Sequence, residues 1–274
     1  MIFLSNLGSF NLKKLEAFIF DLDGCIYIGN RAIPGANNLV KRLKELDKKV
    51  LFVTNNATKK PEEFVSKLRS FGIKASVSDI LTSGTATAMY LFQEFGKCKV
   101  FPVGGAALKA ELQKWGHHVV SMNHIDKADF VVACLDFQFS YRKLCAASKA
   151  IRSGKRFIAT NTDPVIPTED GFIPGAGAIV SAIVTATNVE PHIIGKPSRH
   201  ILDMAFKKLN VSPEETAILG DRLDTDIKGG NEVGAFTILV LSGATSIDKA
   251  NSISDPKLVP KLTLPDVGHM LSYL

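Results

Sequence analysis

The chain has 274 residues, 46% hydrophobic and 22% charged, so it can bury a sizeable core and is not a disordered segment. Its 33 Lys and Arg against 27 Asp and Glu leave a net charge of +6 that is scattered rather than striped, which excludes the continuous basic footprint of a nucleic-acid binder. No apolar run approaches the roughly 18 residues of a membrane span, and at about 150 residues per domain the length suits two domains.

The first residues are apolar but show neither a basic leader nor a small-residue cleavage pattern, so no secretory signal is expected. A strand is predicted at 18–21, ending on an acid. Ala36, Leu39, Val40, Leu43 and Leu46 recur at helical spacing and predict a helix over 35–46. The next strand is 50–53, and the next helix 61–71, with Pro61 in its first turn. A second α/β series follows, with strands at 100–103, 119–120, 130–134 and 156–160 and helices at 106–115 and 141–152.

The first pattern then returns. A helix is predicted over 198–209, started by Pro197. Ser212 to Glu215 has the N-cap, Pro and third-position acid of a capping box, but a strand at 217–221 follows so closely that only one turn fits. Residues 224–233 are compatible with a helix, and 236–241 with a last buried strand. Short apolar runs alternating with helices mark parallel sheets covered by helices. The chain shows no internal repeat and no long Gly/Ser linker, so its middle reads as an insertion. The expected architecture is α/β: a doubly wound, Rossmann-like parallel-sheet core of residues 1–79 and 179–274, interrupted by an α/β cap domain of residues 80–178.

Four strand exits carry chemistry. In Asp21-Leu-Asp23-Gly24 the two acids leave an extended strand end on the same side, and Gly24 permits a sharp turn. Carboxylates at close range raise one pKa or demand a cation, and Mg²⁺ prefers such oxygen ligands. The rival reading is a solvated turn. Gly220 to Asp226 repeats the pattern: Asp221 ends a strand, where ligands of open α/β sheets gather. Asp224 and Asp226 serve equally well as caps of the following helix. Thr54, Asn55 and Asn56 offer a hydroxyl, N–H groups and amides to a tetrahedral anion, or form an Asx-type turn. Lys196, in Gly195-Lys196-Pro197, stands where a helix N-terminus attracts phosphate, or is an ordinary surface lysine.

In this order and context the four clusters resemble the signature regions of the haloacid-dehalogenase-type phosphohydrolases. The resemblance is closest to the NagD-like, p-nitrophenylphosphatase-like branch. Thr82-Ser83-Gly84, Phe157 to Asn161 continuing to Asp163, and Pro174 to Gly177 also carry it, over nearly the whole chain from Phe18 onward. It implies a Mg²⁺-dependent phosphatase of small phosphomonoesters, such as nucleoside monophosphates or sugar phosphates, working through an aspartyl-phosphate. Asp21 is then the nucleophile and Asp23 the general acid/base. Mg²⁺ rests on Asp21, the Asp23 backbone carbonyl and Asp221. Thr54, Asn55 and Lys196 bind phosphate, while Asp226 orients Lys196 or a metal-bound water. Asn161 and Asp163 are candidate cap contacts with substrate, against a structural turn before Pro164.

Cys25 stands where Thr or Val is more familiar in that family; the expected change is in turn packing rather than chemistry, the alternative being a thiol beside the site that makes activity oxidation-sensitive. Cys25, Cys98, Cys134 and Cys145 form no CxxC pair and no zinc spacing, which suits a reducing cytosol. The expected partner is a small phosphorylated metabolite in the cytoplasm, with no nucleic acid and no membrane; a cap-mediated homodimer is a family-level expectation. Competing readings are a phosphotransferase or mutase on the same nucleophile, a dehalogenase, and a non-catalytic phosphometabolite-binding protein. Val103-Gly-Gly lacks the GxGxxG spacing of a nucleotide loop and reads as a helix start. His117 and His118 read as a strand entry, and His192 and His200 as packing or surface residues.

Overall fold

A computed structural model describes residues 12–168 and 171–274; residues 1–11, on which most of the leader argument rests, lie outside the described residues. The first part runs β1 (Ala17–Phe20), a hairpin of β2 (Tyr27–Ile28) and β3 (Arg31–Ala32), α1 (Ala36–Glu45), β4 (Lys49–Thr54), α2 (Pro61–Ser70), β5 (Ile80–Thr82) and α3 (Ser83–Phe95). Next come β6 (Lys99–Val103), α4 (Ala106–Lys114), β7 (His118–Val119), β8 (Phe130–Ala133), α5 (Tyr141–Arg152) and β9 (Arg156–Ala159). A hairpin of β10 (Val165–Thr168) and β11 (Gly171–Pro174) precedes α6 (Ala176–Thr187) and β12 (His192–Ile193). The chain ends through α7 (Arg199–Leu209), β13 (Thr216–Gly220), α8 (Lys228–Val233), β14 (Phe236–Val240), α9 (Ile247–Asn251) and β15 (Leu262–Leu264).

The main sheet is parallel throughout, in the order β15-β14-β13-β1-β4-β5. From β1 the chain winds outward through β4 and β5 on one side. It later returns beside β1 as β13 and winds outward on the other. Strand order therefore reverses between β1 and β13, and the crevice at their carboxyl ends is where such sheets bind ligands. A second parallel sheet, β12-β9-β8-β6-β7, is drawn wholly from the chain between β5 and β13. Two short strands fall on the other side of the expected divisions at 79/80 and 178/179 from the sheets they join. β5 pairs with β4 in the main sheet, and β12 pairs with β9 in the second.

Side-chain alternation explains why β1 is central. Phe18 and Phe20 face one side, with Phe20 and Phe52 ring centroids 5.9 Å apart, and are covered by Leu39 and Leu43 of α1 and Phe64 and Leu68 of α2. Ile19, Leu51 and Val53 face the other side, against Leu91 of α3 and Ile201, Leu202 and Ala205 of α7. That second cluster continues into Val100, Val132 and Ile158 of the inserted sheet, so the two sheets share apolar packing.

Two local expectations change. The helix expected over 198–209 begins at Arg199, because Ser198 is the cap and accepts the His200 N–H at 3.4 Å. The expected 224–233 helix opens as a wider π turn over Leu223–Ile227 before α8, and Asp226 turns back to accept the Arg222 N–H at 3.2 Å. Among the described residues no helix is long and apolar enough to cross a membrane.

Candidate active site

Asp21 follows β1 directly, its N–H bonded to Leu219 O of the neighbouring β13 at 2.8 Å. Asp221 follows β13 and is 1% exposed. Asp21, Asp221 and Asp226 each bring a carboxylate oxygen within 4.8 Å of the others. Lys196, 3% exposed, reaches into this cluster: Nζ donates to Asp21 Oδ1 and Asp226 Oδ1, both at 2.6 Å, and to Val53 O at 3.0 Å. It is not a surface lysine. All three ammonium donors are engaged, so a phosphate oxygen reaches Lys196 only by displacing one acceptor.

Burial is the main force on these groups. It pushes Asp21 well above the usual carboxylate range; Lys196 opposes the shift, and Asp226 and Asp221 add to it. Asp221 is raised to about 7 by burial and then by Asp226, against the Ala244 N–H donated to Oδ2 at 2.6 Å. Burial alone would push Lys196 down, but Asp21 and Asp226 hold it above its ordinary value. Asp23, beside the cleft, is raised by burial against the pull of Lys67 and the Tyr27 hydroxyl.

The donor set suits a hard cation. When the three carboxyl groups give up their protons, the one ammonium leaves two negative charges for a cation to balance in a buried space. Asp221 Oδ1 is buried with no hydrogen-bond partner among the described residues. Asp226, by contrast, has Lys196 on Oδ1 and the Arg222 N–H on Oδ2, an arrangement that orients the lysine.

Thr54, on the last position of β4, accepts the Asn56 N–H on Oγ1 at 3.1 Å, and Asn56 Oδ1 accepts the Thr58 N–H at 3.0 Å. The Asx-type turn is therefore real, and Thr54, Asn55 and Asn56 all line the same cleft as Asp21. Asn161 and Asp163 line it from the inserted unit. Asp163 Oδ2 accepts from Asn55 Nδ2 at 3.0 Å and Asn161 Nδ2 at 2.6 Å, and its Oδ1 lies 3.9 Å from Arg222 Nε. Asp163 thus meets the core directly across the cleft, with Asn161 bonded to it.

Sequence reasoning gave no role to Arg222 or to the apolar wall of Leu135, Val165 and Ile166 in this cleft. It also passed over 242–244, where Ser242 Oγ donates to Gly24 O at 2.6 Å and Ala244 holds Asp221. The rule that selected Thr54, a polar turn on leaving a buried strand, would have selected this one too. Asp224, 58% exposed, pairs with Arg222 Nη2 at 2.7 Å and stays outside the cluster.

Gly24 sits at φ +88, and a Cβ there would strike the Asp221 carboxylate. Gly24→Ala is expected to cost about 1–3 kcal/mol of stability and most of the activity, readable by melting and turnover. A variant as stable and active as the parent would show that this close approach is dispensable. Of the two readings of Cys25, its setting favours packing of the turn over an accessible thiol. It is fully buried, its Sγ is 3.7 Å from Leu219 O, and burial pushes the thiol well above its usual range. Cys145 is the exposed cysteine of the four. Iodoacetamide is expected to label the native protein once, at Cys145, without loss of activity; inactivation tracking a label on Cys25 would contradict this.

A haloacid dehalogenase-like hydrolase family model matches residues 18–118, and a second, related hydrolase model matches 193–269. The acid sugar phosphatase of Staphylococcus saprophyticus is 38% identical over 96% of this chain and 99% of its own length. Among solved structures, the p-nitrophenyl phosphatase from Archaeoglobus fulgidus superposes with a TM-score of 0.89 at 34% identity, covering 95% of this chain and 100% of that one. The glycerol phosphate phosphatase from Mycobacterium tuberculosis, solved in complex with magnesium, gives a TM-score of 0.85 at 32% identity, covering 93% of this chain and 76% of that one. Likeness of this extent, in sequence and in fold, makes the chain a member of the haloacid dehalogenase-like hydrolases, in their NagD-like, p-nitrophenylphosphatase-like branch.

Proposed function

We propose that the chain hydrolyses small phosphomonoesters, sugar phosphates among them, through an aspartyl-phosphate on Asp21 and with Mg²⁺ as its cofactor. The observation that carries this reading is the meeting of Asp21, Asp221, Asp226 and Lys196 at the reversal of strand order. Uncatalysed phosphate-monoester hydrolysis needs up to about 10²¹-fold acceleration, whereas a general acid alone gives about 10²–10⁴. The task must therefore be shared.

An Asp21 oxygen attacks phosphorus as the P–O bond to the leaving group breaks, and Asp23 gives its proton to the departing oxygen. Asp23 then takes a proton from the water that attacks the aspartyl-phosphate, which releases phosphate and restores both acids. Lys196 gives up Asp21 Oδ1 and turns that donor to a phosphoryl oxygen, joined by the Thr54 hydroxyl and the Asn55 N–H. Asp21, Asp221 and the Asp23 carbonyl would hold Mg²⁺, which supplies screening between carboxylate and phosphate and an in-line alignment. The inserted segment serves as a cap whose apolar wall excludes water from the leaving group. The acid sugar phosphatase and glycerol phosphate phosphatase relatives support small polyol and sugar esters as substrates.

The test is phosphate release from a panel of sugar phosphates, nucleoside monophosphates and p-nitrophenyl phosphate, with and without Mg²⁺. Release from none of them under any metal condition ends this reading. Capture of the phosphoryl group by an added alcohol would point instead to a phosphotransferase.

A further inference from the structure

The hairpin after Gly24 carries one aromatic side chain whose setting the reaction described above does not use. Tyr27, 1% exposed, is stitched to the turn that holds both catalytic acids. The Gly24 N–H donates to Tyr27 O at 2.7 Å, the Tyr27 N–H donates to Leu22 O at 3.2 Å, and Asp23 and Tyr27 form an isolated β-bridge. The Tyr27 hydroxyl donates to Asp23 Oδ2 at 3.4 Å. That is long, as catalytic hydrogen bonds often are before substrate tightens the site.

The ring is clamped from α2. Lys67 Nζ lies 3.5 Å from its centroid, and the Phe71 ring packs 5.8 Å away at 45°. Lys67 makes no ion pair among the described residues. Its ammonium rests on the ring face as a cation–π contact. With its backbone tied and its ring held, Tyr27 has one orientation for its hydroxyl.

We propose that Tyr27, clamped by Lys67 and Phe71, is a positioning residue that fixes the Asp23 carboxyl group for proton delivery to the leaving-group oxygen. The proposal rests on the phosphatase reading. A phenol donating to Oδ2 leaves Oδ1 as the oxygen that carries the transferable proton. The carboxyl group then cannot rotate freely, and a misplacement of about 1 Å can cost on the order of 10²-fold.

The role has a signature that a merely structural role lacks. A sugar alkoxide is a poor leaving group and needs the proton; p-nitrophenolate leaves almost without it. The ratio kcat/KM reports every step up to leaving-group departure, so it isolates this proton transfer from the later hydrolysis of the intermediate. For Tyr27→Phe, kcat/KM with a sugar phosphate is expected to fall about 10–100-fold, and with p-nitrophenyl phosphate by no more than about threefold.

Phe71→Leu, which loosens the ring clamp at a half-buried position, is expected to give the same substrate-dependent pattern by a smaller factor, and it carries the test alone if Tyr27→Phe does not fold. Equal losses on both substrates, or no loss on either, in a variant that melts with the wild type would overturn the proposal. A wild-type chain inactive on both substrates overturns the phosphatase reading itself, and this proposal with it.

Discussion

Replacing Asp21 with asparagine is expected to lower phosphate release by at least about 10⁴-fold, equivalent to roughly 5.4 kcal/mol of lost barrier reduction, while the protein stays folded. An amide cannot form the acyl phosphate, and no neighbouring carboxylate takes over. Asp221 is held by Ala244 and Asp226 by Lys196 and Arg222. The fold survives because Lys196 keeps two of its three acceptors, Asp226 Oδ1 and Val53 O, and the amide fills the same space. Turnover and thermal melting together read this out. Activity within tenfold of the parent would remove Asp21 from the nucleophile's place.

The proposed nucleophile was legible because its signal is local: a run of buried apolar residues, 18–20, stops on an acid. The same grammar marks β4 with Thr54 and β13 with Asp221. What stayed hidden depends on packing. α3 has no single apolar stripe because it is sandwiched, burying Ala86, Ala88 and Leu91 between the main sheet and the inserted unit, so helical spacing never stands out. β5, β12 and β15 are two or three residues long, and their pairing partners make them strands rather than their own pattern. Lys196 was legible as a phosphate-binding residue only through the whole set of motifs, and its burial not at all, because its three acceptors come from residues 21, 53 and 226. Arg222 and Asp163 are likewise joined only by the fold.

Removing Mg²⁺ with a chelator is expected to stop turnover, and restoring it to raise the melting temperature more at pH 7.5 than at pH 5. The sign follows from Asp221, whose carboxyl is pushed to about 7 in the folded chain against an ordinary value of 3.8. Between these values the metal-free folded state holds a proton that the unfolded state releases. Its stability is therefore greatest in acid and declines as pH rises toward 7. Above that range the carboxylate is ionised and open to a cation; below it, protons compete with the metal. Mg²⁺ at about a hundred times its Kd adds about 2.7 kcal/mol, which for a chain of this size is roughly 5–10 °C at pH 7.5. Less than half of that is expected at pH 5. An equal rise at both pH values, or a larger one in acid, would separate Asp221 from the metal.

The neighbourhood of β1 and β13 also sets a timetable. A ribosome emits Asp21 early and Asp221 about 200 residues later, which at roughly 5–20 residues per second is a wait of about 10–40 s. Until then β1 has β4 on one side and an open hydrogen-bonding edge on the other, a template for stray pairing. The sheet of the inserted unit is fully translated within that wait and can pack while the older strand waits for its second partner. Both acids reach their places only when β13 slots in beside β1. The nascent protein thus stays chemically silent until the step that also closes its most vulnerable edge.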